Sequence, residues 1–485
     1  MRDQRERQYL RLALRPGIVV VSGLVLVAGL AAVGCGDEEE EQNASQPTNQ
    51  QTPAPRPDPP ADPWSIETLP FDEEGGFQLR LASDGDGTLG MVFFEIVPET
   101  GSPCVELGIS DPPNKVNWSL HYAEFDGGQW STELIHALPF QSAPPGLDLQ
   151  FTGQGQAVVA TMTGDPISQL NQYCGVNDVG ILFREGPEDW RYETAVSTSG
   201  EAASGHPSSD AGYVVGYWPG LAIDSDDQPA VAYRDVHFGG IQADDFRRAD
   251  LEFVHRQGGG WSPEAVDWAE GAGQYNRLVF TDDDEPIIAH YTPTESNIQE
   301  RLGYWVTWRD DGEWRRVQLF NQGNTEEPGL VLDTASETLH LFYYDSEFGT
   351  PRMASLDDWE NFESPSAWSF TGLDTIGDGT YDEGYSPSLA LSPGGNLAAA
   401  YYRCGRADQG LGNCDSDESA LVFAYQDGDQ WRHEVVDEGD HFAFCGQAPS
   451  LVFDGDEPVV AYRCERSEEE RVFVEVRIAR RDAID

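Results

Sequence analysis

From Leu79 onward, apolar residues alternate with polar ones in short runs, and acidic or glycine-rich turns interrupt them at close intervals. One template recurs seven times: an apolar strand, a short polar turn and a second apolar strand. The copies are "LRLASDGDGTLGMVFFE" from Leu79, "LDLQFTGQGQAVVATMT" from Leu147, "PGLAIDSDDQPAVAYRD" from Pro219, "NRLVFTDDDEPIIAHYT" from Asn276, "PGLVLDTASETLHLFYYD" from Pro328, "PSLALSPGGNLAAAYYRC" from Pro387 and "PSLVFDGDEPVVAYRC" from Pro449. Period-two alternation across a short polar turn predicts a β-hairpin. The last apolar residues before the turns are Leu81, Phe151, Ile223, Phe280, Leu332, Leu391 and Phe453, spaced by 70, 72, 57, 52, 59 and 62 residues.

A second hairpin follows the first in each copy, as in "WSLHYAEFDGGQWSTELI", "ADLEFVHRQGGGWSPEAV", "LGYWVTWRDDGEWRRVQL" and "ALVFAYQDGDQWRHEVV". Two hairpins make a four-stranded antiparallel blade, and blades repeated at a fixed period close radially, leaving only short edges. The expected fold is therefore all-β, a seven-bladed β-propeller over 64–485. Its blades fall near 77–140, 147–196, 218–268, 275–320, 328–371, 387–437 and 449–479.

The last blade lacks an outer strand, because the chain ends soon after "RVFVEVRIARR". The candidate to complete it is "WSIETLPF" at 64–71. That stretch matches "WSTELIHALPF" of the first blade in its Trp-Ser start, its Glu and its Leu-Pro-Phe end. Six tryptophans recur after the outer turns, Trp130, Trp190, Trp261, Trp314, Trp368 and Trp431, and Trp64 supplies the seventh. Packing between blades is their expected role, since a buried indole removes a large apolar area from water.

The first 34 residues read differently. Arg2, Arg5, Arg7, Arg11 and Arg15 precede an apolar run from Ile18 to Val33, an n-region followed by an h-region. The run ends in "AAVGCG", which resembles the lipobox of bacterial lipoproteins. That resemblance implies cleavage before Cys35, lipidation of its thiol, and a membrane anchor made of acyl chains. An uncleaved N-terminal helix is the alternative. Residues 36–63, "GDEEEEQNASQPTNQQTPAPRPDPPADP", contain no large apolar side chain and are expected to form a disordered tether with a reach of about 30 Å. The acidic run beside Cys35 resembles the surface-export signals of some Gram-negative lipoproteins. The expected location is the outer membrane, on its periplasmic side or at the cell surface.

Charge narrows the partners. The net charge is −56, and removing a leader with five Arg, one Asp and one Glu makes it −59. Phosphate repulsion then disfavours nucleic acid. Besides Cys35 there are six cysteines, Cys104, Cys174, Cys404, Cys414, Cys445 and Cys464, an even number that suits disulfides in an oxidising compartment. Of 15 connectivities, their positions favour Cys104 with Cys174, Cys404 with Cys414 and Cys445 with Cys464, the last two open to interchange.

With strands lettered A to D from the axis outward, the B–C and D–A loops share one face of the disc, and the six cysteines fall there. The same face receives the ends of the B strands: Glu95, Arg234, Asp235, His290, Tyr291, Asp345, Arg403 and Arg463. Arg234, Arg403 and Arg463 occupy equivalent positions in three blades, and an arginine cluster grips a carboxylate or phosphate through bidentate bonds. The competing expectation is that each arginine pairs with a neighbouring carboxylate. No cofactor or metal signature is present; "SDGDGT" and "DSDDQP" are weak calcium candidates that lack the Asp-x-Asp-x-Asp-Gly order and read better as turns. Nothing in the sequence marks a catalytic residue.

"DGGQW" and "DDGEW" resemble degenerate Asp-box turns of sialidase-type propellers, without the leading Ser or Thr and with the Trp one residue early. The chain as a whole resembles seven-bladed propeller lipoproteins of Gram-negative bacteria. These resemblances imply a monomeric, membrane-tethered module that binds protein or glycan through the cysteine-bearing face. The alternative they imply is a sialidase- or glycosidase-type hydrolase built on the arginine cluster.

Overall fold

The computed structural model describes residues 63–69, 75–97, 117–138, 146–165, 176–197, 203–206, 214–236, 249–268, 271–293, 301–321, 327–372, 380–428, 430–468 and 471–484. In order from A to D, blade one takes Gly75–Ser83, Leu89–Val97, Asn117–Phe125 and Trp130–Leu138, and blade two takes Leu147–Phe151, Ala157–Asp165, Val176–Gly186 and Asp189–Val196. Blade three takes Val214–Ile223, Pro229–Val236, Ala249–Gln257 and Gly260–Asp267, and blade four Gln274–Phe280, Pro286–Thr292, Gly303–Asp310 and Glu313–Phe320. Blade five takes Gly329–Asp333, Thr338–Asp345, Thr350–Leu356 and Ser369–Gly372, and blade six Tyr381–Leu391, Leu397–Arg406, Ala420–Asp427 and Gln430–Glu438. Blade seven takes Ala443–Asp454, Glu457–Glu468 and Arg471–Arg481, with Trp64–Thr68 as its outer strand.

The A strands touch one another in cyclic order, blade seven against blade one included, so the seven antiparallel blades form a closed propeller. Closure is made as the sequence predicts: Trp64 lies opposite Arg481 and Thr68 opposite Arg477. Leu69 N–H extends the ladder to the Val476 carbonyl at 2.9 Å. Blades two and three are also stitched by one parallel bridge, Val214 to Asn177.

The inner strand carries a repeated irregularity. In blades one, three, four, six and seven the register slips by one residue, for example between Phe77 opposite Phe94 and Arg80 opposite Val92. One extra residue on one strand is a β-bulge, which bends the strand and re-aims its side chains. Gln78, Trp218, Tyr275, Ser386 and Ala448 take left-handed φ values of 46 to 56° within these slips.

Neighbouring blades are joined at the rim by a repeated contact. The Trp that opens strand D donates its indole N–H to a Glu on strand D of the preceding blade. The pairs are Trp130 to Glu67 at 2.9 Å, Trp190 to Glu133 at 2.8 Å, Trp261 to Glu193 at 3.1 Å, Trp314 to Glu264 at 2.7 Å and Trp64 to Glu434 at 2.7 Å. In four of these seams the residue opposite the Trp is an arginine that reaches the same Glu: Arg184, Arg256, Arg309 and Arg481. Three of the indoles also meet an aromatic ring on strand C of the preceding blade, Tyr122, Phe253 or Phe423.

Two seams depart from this arrangement, and the sequence shows why. The position three after Trp is Val317 in blade four and Thr371 in blade five, so the next blade finds no carboxylate. Between blades four and five an insertion with 3-10 turns Trp359–Asn361 and Pro365–Ala367 replaces the tight C–D turn. It drives Phe362 and Trp368 into the seam beside Trp308, and Trp368 donates to its own chain at the Phe362 carbonyl, 3.2 Å. Apolar packing thus replaces the ionic contact there.

Candidate functional site

The three candidate arginines each acquire a separate set of partners. Arg234 is 1% exposed, stacks over Trp218 at 5.3 Å and donates to the Gly271 carbonyl at 3.4 Å. Arg403 lies over Tyr381 at 4.3 Å, donates through Nε to the Glu418 carbonyl at 2.9 Å and faces Glu438 at 3.5 Å. Arg463 covers Phe77 at 5.0 Å, donates from Nε and Nη2 to Gln447 Oε1 at 3.1 and 2.5 Å and lies 3.6 Å from Glu465. Burial lowers the Arg463 pKa, with Glu465 and Tyr402 opposing. Among the described contacts these partner sets do not overlap.

The other candidates are structural in their contacts. Asp345 binds Arg352 at 2.8 Å and accepts the Glu347 N–H at 3.0 Å, which fixes its own B–C turn. Tyr291 is fully buried with its ring 5.2 Å from Tyr304, and burial pushes its phenol pKa up. Asp235 is also fully buried, opposite Asp250 in the ladder. His290 accepts the Gly273 N–H at Nδ1, 3.3 Å, and burial pushes its pKa down to about 4 against the attraction of Asp267. Glu95 lies 2.8 Å from His121 Nε2.

Among the described residues, two disulfides join Cys404 to Cys414 and Cys445 to Cys464. Cys35, Cys104 and Cys174 lie outside the described residues. Asp437 sits beside the Cys445–Cys464 bridge, close enough to resemble a metal cluster. Its carboxylate accepts Tyr462 OH at 2.7 Å and Arg477 Nη1 at 2.8 Å, and both sulfurs are already bonded to each other. In the weak calcium candidates, Asp84 Oδ1 accepts the N–H groups of Asp86 and Thr88, and Asp224 Oδ1 those of Asp226 and Gln228. These carboxylates close their own turns.

The feature with the character of a recognition surface lies in the Cys404–Cys414 loop. Gly412 N–H reaches the buried carboxylate of Asp382 at 2.6 Å, and Asp382 in turn accepts Tyr344 OH and Tyr385 OH at 2.7 and 2.8 Å. The loop is therefore pinned to blades five and six by a covalent bond and a buried polar network. Gly349 has φ +69°, a backbone conformation that favours glycine, and an added Cβ would push aside the end of the Leu411 side chain that packs there. Held this way, Leu411 is 40% exposed and Phe348 53% exposed, on B–C loops of adjacent blades. Trp268 and Phe442, on D–A connections, are 53% and 59% exposed on the same face. Sequence periodicity misses them, because loop residues carry no period.

A second grouping lies on the axis. Arg80 of blade one, Asp148 of blade two, Arg277 of blade four and Glu327 at the entry to blade five form a charged cluster. Arg80, Asp148 and Arg277 immediately precede the leucine shared by the repeats, where the other blades have Gly220, Gly329, Ser388 and Ser450. That variable column, inside an otherwise uniform motif, is the sequence signal for it.

What these features define is a seven-bladed β-propeller with a disulfide-stapled face bearing exposed apolar side chains and a charged axis. No family model matches the chain, and no curated protein matches it. Among solved structures it is similar to a protein of unknown function from Dyadobacter fermentans, with a TM-score of 0.47 at 10% identity, covering 86% of this chain and 98% of that one. It is also similar to the NanB sialidase of Streptococcus pneumoniae, TM-score 0.42 at 12% identity, covering 87% and 71%. A GH93 α-L-arabinofuranosidase of Fusarium graminearum gives 0.39 at 14% identity, covering 72% and 92%.

Proposed function

We propose that this protein is an exported binding module, tethered to the outer membrane through lipidated Cys35, that engages a protein or glycan with the face formed by its B–C and D–A loops. The observation that carries the reading is the Leu411–Phe348 site: two exposed apolar side chains on rigidly held loops of a strongly acidic chain. Phe348 lies under the Arg352 guanidinium at 4.7 Å and Leu411 packs over Gly349, yet both side chains keep a large apolar surface in water, which an ordered loop offers for recognition. A sialidase- or glycosidase-type hydrolase needs two carboxyls, or a Tyr–Glu pair, beside guanidiniums available to substrate. The occupied, separate Arg234, Arg403 and Arg463 weigh against a hydrolase built on those three residues. The acidic surface and the single Lys115 fit a monomer without a nucleic-acid partner.

Binding of wild type and of a Phe348→Asp, Leu411→Asp variant to glycans and to fractionated envelope proteins tests the reading. The variant is expected to lose the ligand that wild type retains, with its melting temperature nearly unchanged. Retention by both, or by neither, rejects it. The anchor is tested by Cys35→Ala, which is expected to abolish labelled palmitate incorporation and release the protein from membranes.

A further inference from the structure

We propose that the propeller axis holds a carboxylate-binding site, formed by Arg80 and Arg277, which the chain's own Glu327 occupies in the resting protein. Blades one and five are not neighbours in a seven-membered ring, so Arg80 meets Glu327 only by reaching across the axis. Arg80 Nη2 bonds to Glu327 Oε1, and Arg277 Nη2 lies 3.1 Å from the same oxygen. Two guanidiniums converging on one carboxylate oxygen is the geometry of a carboxylate receptor.

The arginines are preorganised without help from that ligand. Arg80 Nη1 donates to the Leu79 carbonyl at 2.9 Å, and Arg277 Nε to the Pro328 carbonyl at 3.1 Å. Asp148 faces both arginines: backbone N–H groups of Leu149 and Leu221 hold its two oxygens at 2.9 and 2.8 Å, and burial raises its pKa against the attraction of Arg277 and Arg80. Arg80 Nε is buried and has no hydrogen-bond partner, a donor left over at the site. The side chains of Arg80, Arg277 and Glu327 keep 13%, 18% and 22% exposure, so the cluster is open to a small solute.

Burial alone would raise the Glu327 pKa, but the charges of Arg277 and Arg80 outweigh it and keep the carboxyl ionised. A tethered carboxylate competes with free ligand at high effective concentration. An incoming small carboxylate therefore binds wild type weakly, and binds much better once Glu327 is removed. The site is independent of the Leu411 face.

Chemical rescue tests this on the full chain. Glu327→Ala is expected to melt below wild type and to recover by about 1–3 °C in a tenfold excess of formate or acetate over its dissociation constant, but not in chloride of equal ionic strength. Wild type is expected to respond far less, and adding Arg277→Gln to abolish the rescue. Should Glu327→Ala fail to fold, isosteric Glu327→Gln is titrated with 13C-formate by NMR, where saturable binding absent from Glu327→Gln/Arg277→Gln is expected. Equal responses to acetate and chloride, rescue that survives Arg277→Gln, or no formate binding to Glu327→Gln would overturn the proposal.

Discussion

Trp64 donates its indole N–H to Glu434 at 2.7 Å, across 370 positions of sequence, and Arg481 grips the same carboxylate with two bonds of 2.9 Å. The strand that closes the ring is thus fastened to blade six as well as to blade seven. Burial would raise the Glu434 pKa, but the bonds from Arg481 and Trp64 hold it below the usual range.

Trp64→Phe keeps the ring and removes the N–H. A hydrogen bond to a charged group contributes about 1.5–3 kcal/mol, so stability should fall by roughly that amount. A double-mutant cycle with Glu434→Gln in denaturant melts should show a coupling of about 1 kcal/mol or more. Additive losses would mean that the bond contributes nothing. A chain beginning at Phe77 loses the whole strand and exposes the edge of Arg471–Arg481, so its melting temperature should drop; an unchanged value refutes the closure.

The seam between blades five and six lacks the contact, with Thr371 where five of the other blades have Glu and Gln426 opposite Trp431. Thr371→Glu with Gln426→Arg should install it and raise stability by about 0.5–2 kcal/mol. Either change alone should give less. Urea melts of the single and double variants decide this.

His290 gives an acid sensitivity of defined sign. Its folded pKa of about 4 lies below the unfolded value near 6.5, so both states are neutral above that value and the group is silent there. As pH falls from about 6.5 to 4 the unfolded state takes the proton first, and stability drops by up to roughly 3 kcal/mol. His290→Gln should flatten that part of the stability-versus-pH curve. A parallel curve for the variant would exclude His290 as its source.

The Cys404–Cys414 bridge closes a short loop, and replacing both residues by Ser should cost about 2–3 kcal/mol. Ligand binding should weaken further than stability does, because Leu411 loses its fixed position. Comparing melting curves and binding for that variant separates the two effects.

The sequence determined the fold: seven period-two hairpin pairs leave radial closure as the way to bury both faces of every blade, and an incomplete last repeat calls for the Trp64 strand. It also carried the Glu three residues after Trp64, Trp130, Trp190, Trp261 and Trp431, visible once blades are aligned. Strand positions favoured Cys404 with Cys414 and Cys445 with Cys464 but left the two open to interchange, and the structure contains the favoured arrangement. The partners of Arg234, Arg403 and Arg463 were not legible, since equivalent places in three blades fix backbone position and leave the guanidiniums to whatever rings and carbonyls lie beside them. Nor was the axial meeting of Arg80 with Glu327. Local pattern records which face a side chain leaves from; only ring closure brings residues 247 apart to one carboxylate.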